Sequence, residues 1–405
     1  MRTATVWAIV AAAWASTIAT GSTRPPFMAH YMPWYESRPV SGRWGWHWTM
    51  DHFDPEQVDA SERRQIASHH YPAIGPYDST DPDLLSYHFL LMKVAGVDGV
   101  IIDWYGAEDI HDYAFINRAT GAAIDAAAAF GLQYAICYED RTLRAMVNAG
   151  RIEAGEAVAQ ARREMRCVEA DWFARDGYLR VDGRPALLVF GPEYLSDAQW
   201  AQALDGLPSN PAFLTLHQRR APADGLFAWP PMWASEHGVL SPGRLREYFA
   251  RYGERASAAS YSIAAAFPGF RDIYAEAGTQ ESHGVLDARD GATFDETLSL
   301  AMASGADAVQ LVTWNDFGEG TVIEPTREFG YRYLERVQEA RRELGDGTFG
   351  YSSGDLRLPA RIYALRKLHA TDNVVLDALR AAEEATLQGS THDARDVVGA
   401  IDGQR

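Results

Sequence analysis

Cysteine is nearly absent: Cys137 and Cys167 are the only two in 405 residues. No Cys-x-x-Cys or His-Glu-x-x-His spacing occurs, so neither a disulfide framework nor a zinc site has support, and no metal or cofactor is expected. The two cysteines fall on a predicted strand end and a predicted helix, which leaves their pairing open. Basic charge is also short, with 37 Lys and Arg against 55 Asp and Glu and a formal net charge of −18. Without a basic face to neutralise phosphates, nucleic acid is excluded as a partner. Beyond residue 22 there is no apolar run long enough to span a bilayer. No Gly-x-Gly-x-x-Gly follows the first predicted strand and no Gly-x-x-x-x-Gly-Lys-Ser/Thr occurs, which argues against dinucleotide and nucleoside triphosphate sites.

What is present begins with a leader. Arg2, the weakly polar run Ala4 to Ala19 and the small residues Thr20 to Ser22 predict a signal peptide over residues 1–22, hence a secreted or periplasmic protein with no stable membrane insertion after cleavage. The whole sequence is 47% hydrophobic, enough for one large packed domain with an appendage.

From residue 27 to about 340, strand and helix patterns alternate, the arrangement that forces parallel strands with crossover helices. Eight strands are expected: Phe27–Met32, Gly99–Trp104, Gln133–Tyr138, Ala186–Phe190, Ala212–Leu216, Gly225–Trp229, Ser260–Phe267 and Ala308–Trp314. In the first crossover helix Asp81 caps, Pro82 suits the first turn, Leu84, Tyr87, His88, Leu91, Met92 and Ala95 share one face, and Gly96 ends it. Thr293 and Glu296 have capping-box spacing before the last strand. The expected fold is an α/β, (β/α)₈ TIM barrel over residues 23–345. A helical C-terminal extension follows over 346–405, rich in Leu, Ala, Arg and Glu and without evident chemistry.

In such a barrel the active site lies at the C-terminal ends of the strands. The first strand runs into His30, Tyr31, Trp34 and Tyr35, the second into Asp103, Trp104 and Tyr105, and the third into Tyr138, Glu139 and Asp140. The eighth ends at Trp314-Asn315-Asp316-Phe317-Gly318-Glu319-Gly320. Hydrolysis of a glycosidic bond uses one carboxylic acid to protonate the leaving oxygen and a second carboxylate as base or nucleophile. Asp316 and Glu319, on a loop that Gly318 and Gly320 would make flexible, are placed to supply both. The bland alternative is a helix cap, since Thr321 and Glu324 also have capping-box spacing. Twelve tryptophans and 19 tyrosines suit stacking on the apolar faces of sugar rings. The cluster Trp34, Tyr35, Trp44, Trp46, Trp48 lies outside any periodic core pattern.

Four segments then form a recognisable set: Ala29–Tyr35 (AHYMPWY), Ile74–Ser79 (IGPYDS), Gly96–Gly106 (GVDGVIIDWYG) and Thr313–Pro325 (TWNDFGEGTVIEP). Together they resemble the glycoside hydrolase family 71/99-like group, across nearly the whole expected barrel. That resemblance implies a metal-independent glycosidase acting on α-mannan or α-glucan, with Glu319 as general acid/base and Asp316 assisting attack, in family 99 through the sugar 2-hydroxyl and a 1,2-anhydro intermediate. His30, Tyr31, Trp34, Tyr35, Tyr77, Asp103, Trp104, Tyr105, Glu139, Asp140, Trp314 and Asn315 become candidates for binding the poly- or oligosaccharide. The sequence departs from family 99 in carrying Asp316, shorter than Glu by a methylene, and Phe317-Gly318 in place of a bulkier pair. Trp314 to Glu319 is nearer to the α-1,3-glucanases of family 71, whereas Gly320 to Pro325 is nearer to family 99.

A non-catalytic carbohydrate-binding barrel is the competing reading, and retention of both acids favours the enzyme. A deacetylase or esterase would require a His/Asp metal cluster or a Gly-x-Ser-x-Gly elbow, and the chain is expected to have neither.

Overall fold

The short apolar runs do become strands, and each is buried except for single end residues such as Gln133, Arg184, Leu216 and Tyr261, because helices cover the outside and side chains fill the inside. The computed structural model describes residues 24–403, so the expected leader at 1–22 lies outside the described residues. The strands are β1 (Phe27–Tyr31), β2 (Gly99–Trp104), β3 (Gln133–Tyr138), β4 (Arg184–Val189), β5 (Ala212–Leu216), β6 (Gly225–Phe227), β7 (Tyr261–Ala266) and β8 (Ala308–Leu311). Each pairs in parallel with the next. The ring closes through β1 and β8, with Phe27 opposite Val309. This is a closed (β/α)₈ barrel.

Crossover helices are α1 (Pro82–Ala95), α2 (Tyr113–Ala129), α3 (Arg141–Asn148), α4 (Ala157–Val168), α5 (Asp197–Leu204), α6 (Pro242–Ala256) and α7 (Ala292–Ala303). Asp81 caps α1 by accepting from the Asp83 N–H, and Gly96 ends it in the left-handed region at φ 87°. Between β5 and β6 the chain crosses without a helix. There β6 is only three residues long, since Pro230 and Pro231 follow closely and cannot donate to a ladder. The Thr293–Glu296 capping box does not form. Instead α7 begins after Gly291, and Glu296 pairs with Arg246 and Arg289.

Beyond the barrel, α8 (Arg332–Glu343), α9 (Leu358–Leu368), α10 (Asn373–Leu387) and α11 (Thr391–Asp402) follow. Helix α9 lies on α1, with the rings of Tyr363 and Tyr87 5.6 Å apart and Lys367 Nζ bonded to Asp81 (2.7 Å) and Asp83 (2.8 Å). Cys137, on β3, and Cys167, on α4, are both free thiols.

Strand alternation positions the site. Met28, Ile101, Ala135, Leu188, Leu214 and Ile263 fill the lower barrel. Two residues further along the same face, β1 presents His30, β2 presents Asp103 and β3 presents Cys137. The inward face thus changes from aliphatic to ionisable within one step of the strand period.

Candidate active site

Above that step a cleft of about 1060 Å³ opens at the C-terminal ends of the strands. His30, Trp34, Tyr35, Asp103, Tyr105, Glu139, Asp316 and Glu319 all line it. Six other candidates do not: Tyr31, Tyr77, Trp104, Asp140, Trp314 and Asn315. For several the reason is the two-residue period, which lets only one of two adjacent residues face inward. His30 faces the cleft while the Tyr31 hydroxyl meets His88 Nδ1 at 3.1 Å. Asp103 faces it while Trp104 Nε1 donates to Asn117. Glu139 faces it while Asp140 accepts from the backbone N–H groups of Glu193, Tyr194 and Leu195 and from Trp200 Nε1, tying down the loop after β4. The Tyr77 hydroxyl is held by Glu324 and Asn315.

The aromatic cluster divides in the same way. Trp48 is fully buried, with Nε1 on the Tyr77 carbonyl. The Trp34 ring stacks on His47, with centroids 4.2 Å apart and planes 5° from parallel. Trp44 and Trp46 stand on the rim.

Asp316 and Glu319 sit on one tight loop that is anchored throughout, contrary to the flexibility its glycines suggested. Asp316 N–H donates to Thr313 Oγ1 (2.7 Å), and Asp316 Oδ1 accepts from the Glu319 N–H (2.9 Å). Arg271 N and Ile273 N donate to the carbonyls of Glu319 and Gly318, both at 2.9 Å. Gly320 has φ 68°, and a Cβ there would lie 2.7 Å from the Arg271 carbonyl oxygen, so glycine answers a close approach and a left-handed turn. No helix begins at Thr321. Its side chain meets Thr313, and Glu324 is buried, so the capping alternative is not what these residues do.

Four of the carboxyls lining the cleft, Asp103, Glu139, Asp316 and Glu319, feel one another's charge and that of Arg141. Burial pushes the Asp316 carboxyl up to about 6, partly offset by the hydrogen bond it accepts from Glu319 N–H. Burial, and then the neighbouring Asp316 charge, hold Glu319 well above the ordinary range. Asp103 is likewise raised, by burial first and Glu139 second. Glu139 is raised to about 7 by burial, against the opposing pull of Arg141, whose Nε lies 2.9 Å from it. The Tyr274 hydroxyl donates to Glu319 Oε1 at 3.4 Å. His30 is kept neutral, its pKa pulled to about 4 by burial, with Nδ1 3.2 Å from Gln310 Oε1.

Arg141 and Tyr274 were not foreseen. A cluster of acids demands a compensating cation, and Arg141 directly follows the third strand-end pair, so it was within reach. Tyr274 lies in an irregular stretch with no periodic signal. His30, Asp103 and Cys137 bring potential ligand atoms within 4.8 Å of one another, which makes them the one group among the described residues with metal-ligand chemistry. Gly350-Tyr351-Ser352-Ser353-Gly354 does fit the Gly-x-Ser-x-Gly pattern, against expectation. It follows no strand, and Ser352 Oγ bonds Asp355 at 2.6 Å as the cap of a short helical turn, so it is not a nucleophile elbow.

With this geometry in view, likeness to known proteins is informative. A sequence description of "Glycosyl hydrolase family 99" matches residues 26–228. A Homo sapiens protein named "Glycoprotein endo-alpha-1,2-mannosidase-like protein" is 22% identical over 332 residues, covering 73% of this chain and 67% of its own. A Danio rerio protein of the same name is 22% identical over 343 residues, covering 75% and 72%. The solved endo-alpha-mannosidase of Bacteroides thetaiotaomicron is 19% identical with a TM-score of 0.60, covering 79% of this chain and 97% of that one, a likeness of fold.

Proposed function

Because this chain belongs to glycoside hydrolase family 99, it is a glycosidase, and we propose that it cleaves α-mannosidic bonds within glycan chains through Asp316 and Glu319. One observation carries the assignment of roles: two carboxyls share a cleft, and their environments hold one proton more tightly than the other. Asp316, raised only to about 6, is thus the first of the two to ionise, and Glu319, held well above the ordinary range, is the one that retains its proton. Glu319 then passes that proton to the glycosidic oxygen as the bond to the anomeric carbon breaks, and the Asp316 carboxylate takes the proton of the attacking hydroxyl. His30 Nε2 and Asp103 Oδ1, buried and without partners in the described residues, are the natural seats for sugar hydroxyls. The relatives' names favour mannose over glucose. The leader expected over residues 1–22 would place the reaction outside the cytoplasm.

The test is a comparison of Glu319→Gln and Asp316→Asn on α-mannan, α-glucan and an aryl α-mannoside with a good leaving group. Glu319→Gln should lose about 10²–10⁴-fold on the polymer and much less on the aryl glycoside, which needs no protonation. Asp316→Asn should lose equally on both. Wild-type rates from Glu319→Gln on the polymer, or a preference for α-glucan, would overturn the corresponding part of the assignment.

A further inference from the structure

Behind the catalytic loop lies a second set of polar groups that the proposed chemistry does not use. Glu324 and His88 are buried, and His88 Nε2 is 3.3 Å from Glu324 Oε1. The other carboxylate oxygen, Oε2, accepts from the Tyr77 hydroxyl at 2.7 Å. That hydroxyl accepts in turn from Asn315 Nδ2 at 3.1 Å. The Asn315 side chain also spans the first strand's exit, donating to the Met32 carbonyl (3.0 Å) and accepting from the Met32 N–H (2.8 Å). Asn315 immediately precedes Asp316, and its own carbonyl accepts from the Tyr35 hydroxyl at 2.8 Å.

Burying a carboxylate and an imidazole side by side gives up hydration that Leu or Met at the same positions would not lose, more than mere packing would justify. The arrangement is over-determined at one place, the backbone shoulder of the catalytic loop. It draws on α1 (His88), the segment before α1 (Tyr77) and the residue that follows β1 (Met32), while Glu324 N–H closes the loop's base on the Trp314 carbonyl at 2.9 Å. We propose that Glu324, Tyr77 and His88 are positioning residues: a buried brace that acts through Asn315 to hold the Asp316 carboxylate at its working position. The proposal rests on Asp316 having the attacking-side role assigned above. It accounts for Glu324 in the Thr321–Pro325 segment, which contacts neither the cleft nor solvent.

Tyr77→Phe is the cleanest probe, since it deletes the one oxygen that links Glu324 to Asn315 and keeps the ring in place. Misplacing a reacting group by about 1 Å costs up to about 10²-fold. We expect kcat to fall roughly 10- to 100-fold with KM within about threefold, because sugar contacts in the cleft are untouched. Tyr87→Phe serves as control: this neighbouring buried hydroxyl has no hydrogen-bond partner, so its kcat should stay within twofold. In an Asp316→Glu background, where the carboxylate is already displaced, Tyr77→Phe should add little further loss. A kcat unchanged in Tyr77→Phe, an equal loss in Tyr87→Phe, or losses that multiply fully in the double variant would each overturn the brace. Full activity of Asp316→Asn would instead overturn the role of Asp316 and is read separately. If Tyr77→Phe does not fold, Glu324→Gln, which keeps the shape of the side chain, gives the same kcat-against-KM comparison.

Discussion

Asp103 shows at the scale of one side chain what this site costs the fold. It is 2% exposed, Oδ1 has no partner, and burial with the nearby Glu139 raises its pKa well above that of a free carboxyl. The folded protein therefore holds a proton at pH values where the unfolded chain has released it. Such a group contributes stability that is fully present below about pH 4 and is lost as pH rises towards the raised folded value. Asp103→Asn keeps the shape and removes the titration. By differential scanning calorimetry it should melt above wild type at pH 8 and no higher at pH 4. A gain that is the same at both pH values would show that Asp103 is not held protonated. Sugar binding should weaken in the same variant, since sites built for binding are commonly bought with stability.

At the scale of the element, the loop after β8 shows how much was legible in the residues. The position of Asp316 and Glu319 followed from counting strands, because alternation of apolar runs with helical spacing leaves few topologies open. Which neighbours face the cleft did not follow for pairs such as His30-Tyr31 or Asp103-Trp104, since the two-residue period fixes that one of each pair points in without saying which. The place of Glu324 was not legible either: its spacing from Thr321 allowed a helix cap as the bland alternative, and spacing alone does not reveal that His88, on a helix more than 200 positions away, lies against it. The glycines were read as a source of mobility, and the geometry makes them spacers instead. A Cβ on Gly318 would meet the far end of the Met50 side chain at 2.9 Å and Asp316 Oδ1 at an ordinary 3.4 Å, whereas one on Gly320 would meet the backbone carbonyl of Arg271 at 2.7 Å. Gly320→Ala should therefore lose more than tenfold in kcat and about 1–3 kcal/mol in stability, while Gly318→Ala stays near wild type in stability. Urea unfolding together with steady-state rates on both variants separates the two, and equal effects would mean that close approach is not what selects glycine at 320.

For the whole molecule, the helices after the barrel belong to the account of α1. Helix α9 covers the face of α1 that carries Tyr87, and Arg366 pairs with Glu383 beside Ser86. Removal of residues 346–405 should bare that face and loosen the helix that holds His88. The shortened chain should melt at least about 5 °C lower or be insoluble, as followed by circular dichroism and yield. An unchanged melting temperature would make those helices an independent appendage.

Barrel closure has a further consequence during synthesis. His30, on the first strand, meets Gln310, on the last, 280 positions later. At elongation rates of about 5–20 residues per second the ribosome needs roughly 15–60 s to make that span. Until Ala308–Leu311 has emerged, β1 has a partner on only one side, and its other edge is a row of unpaired backbone groups able to join any passing strand. A nascent chain stalled after β2 and before residue 308 would thus present an open sheet with two adhesive edges. The exposure ends with the arrival of the strand that leads into Asp316 and Glu319, the two proposed catalytic acids.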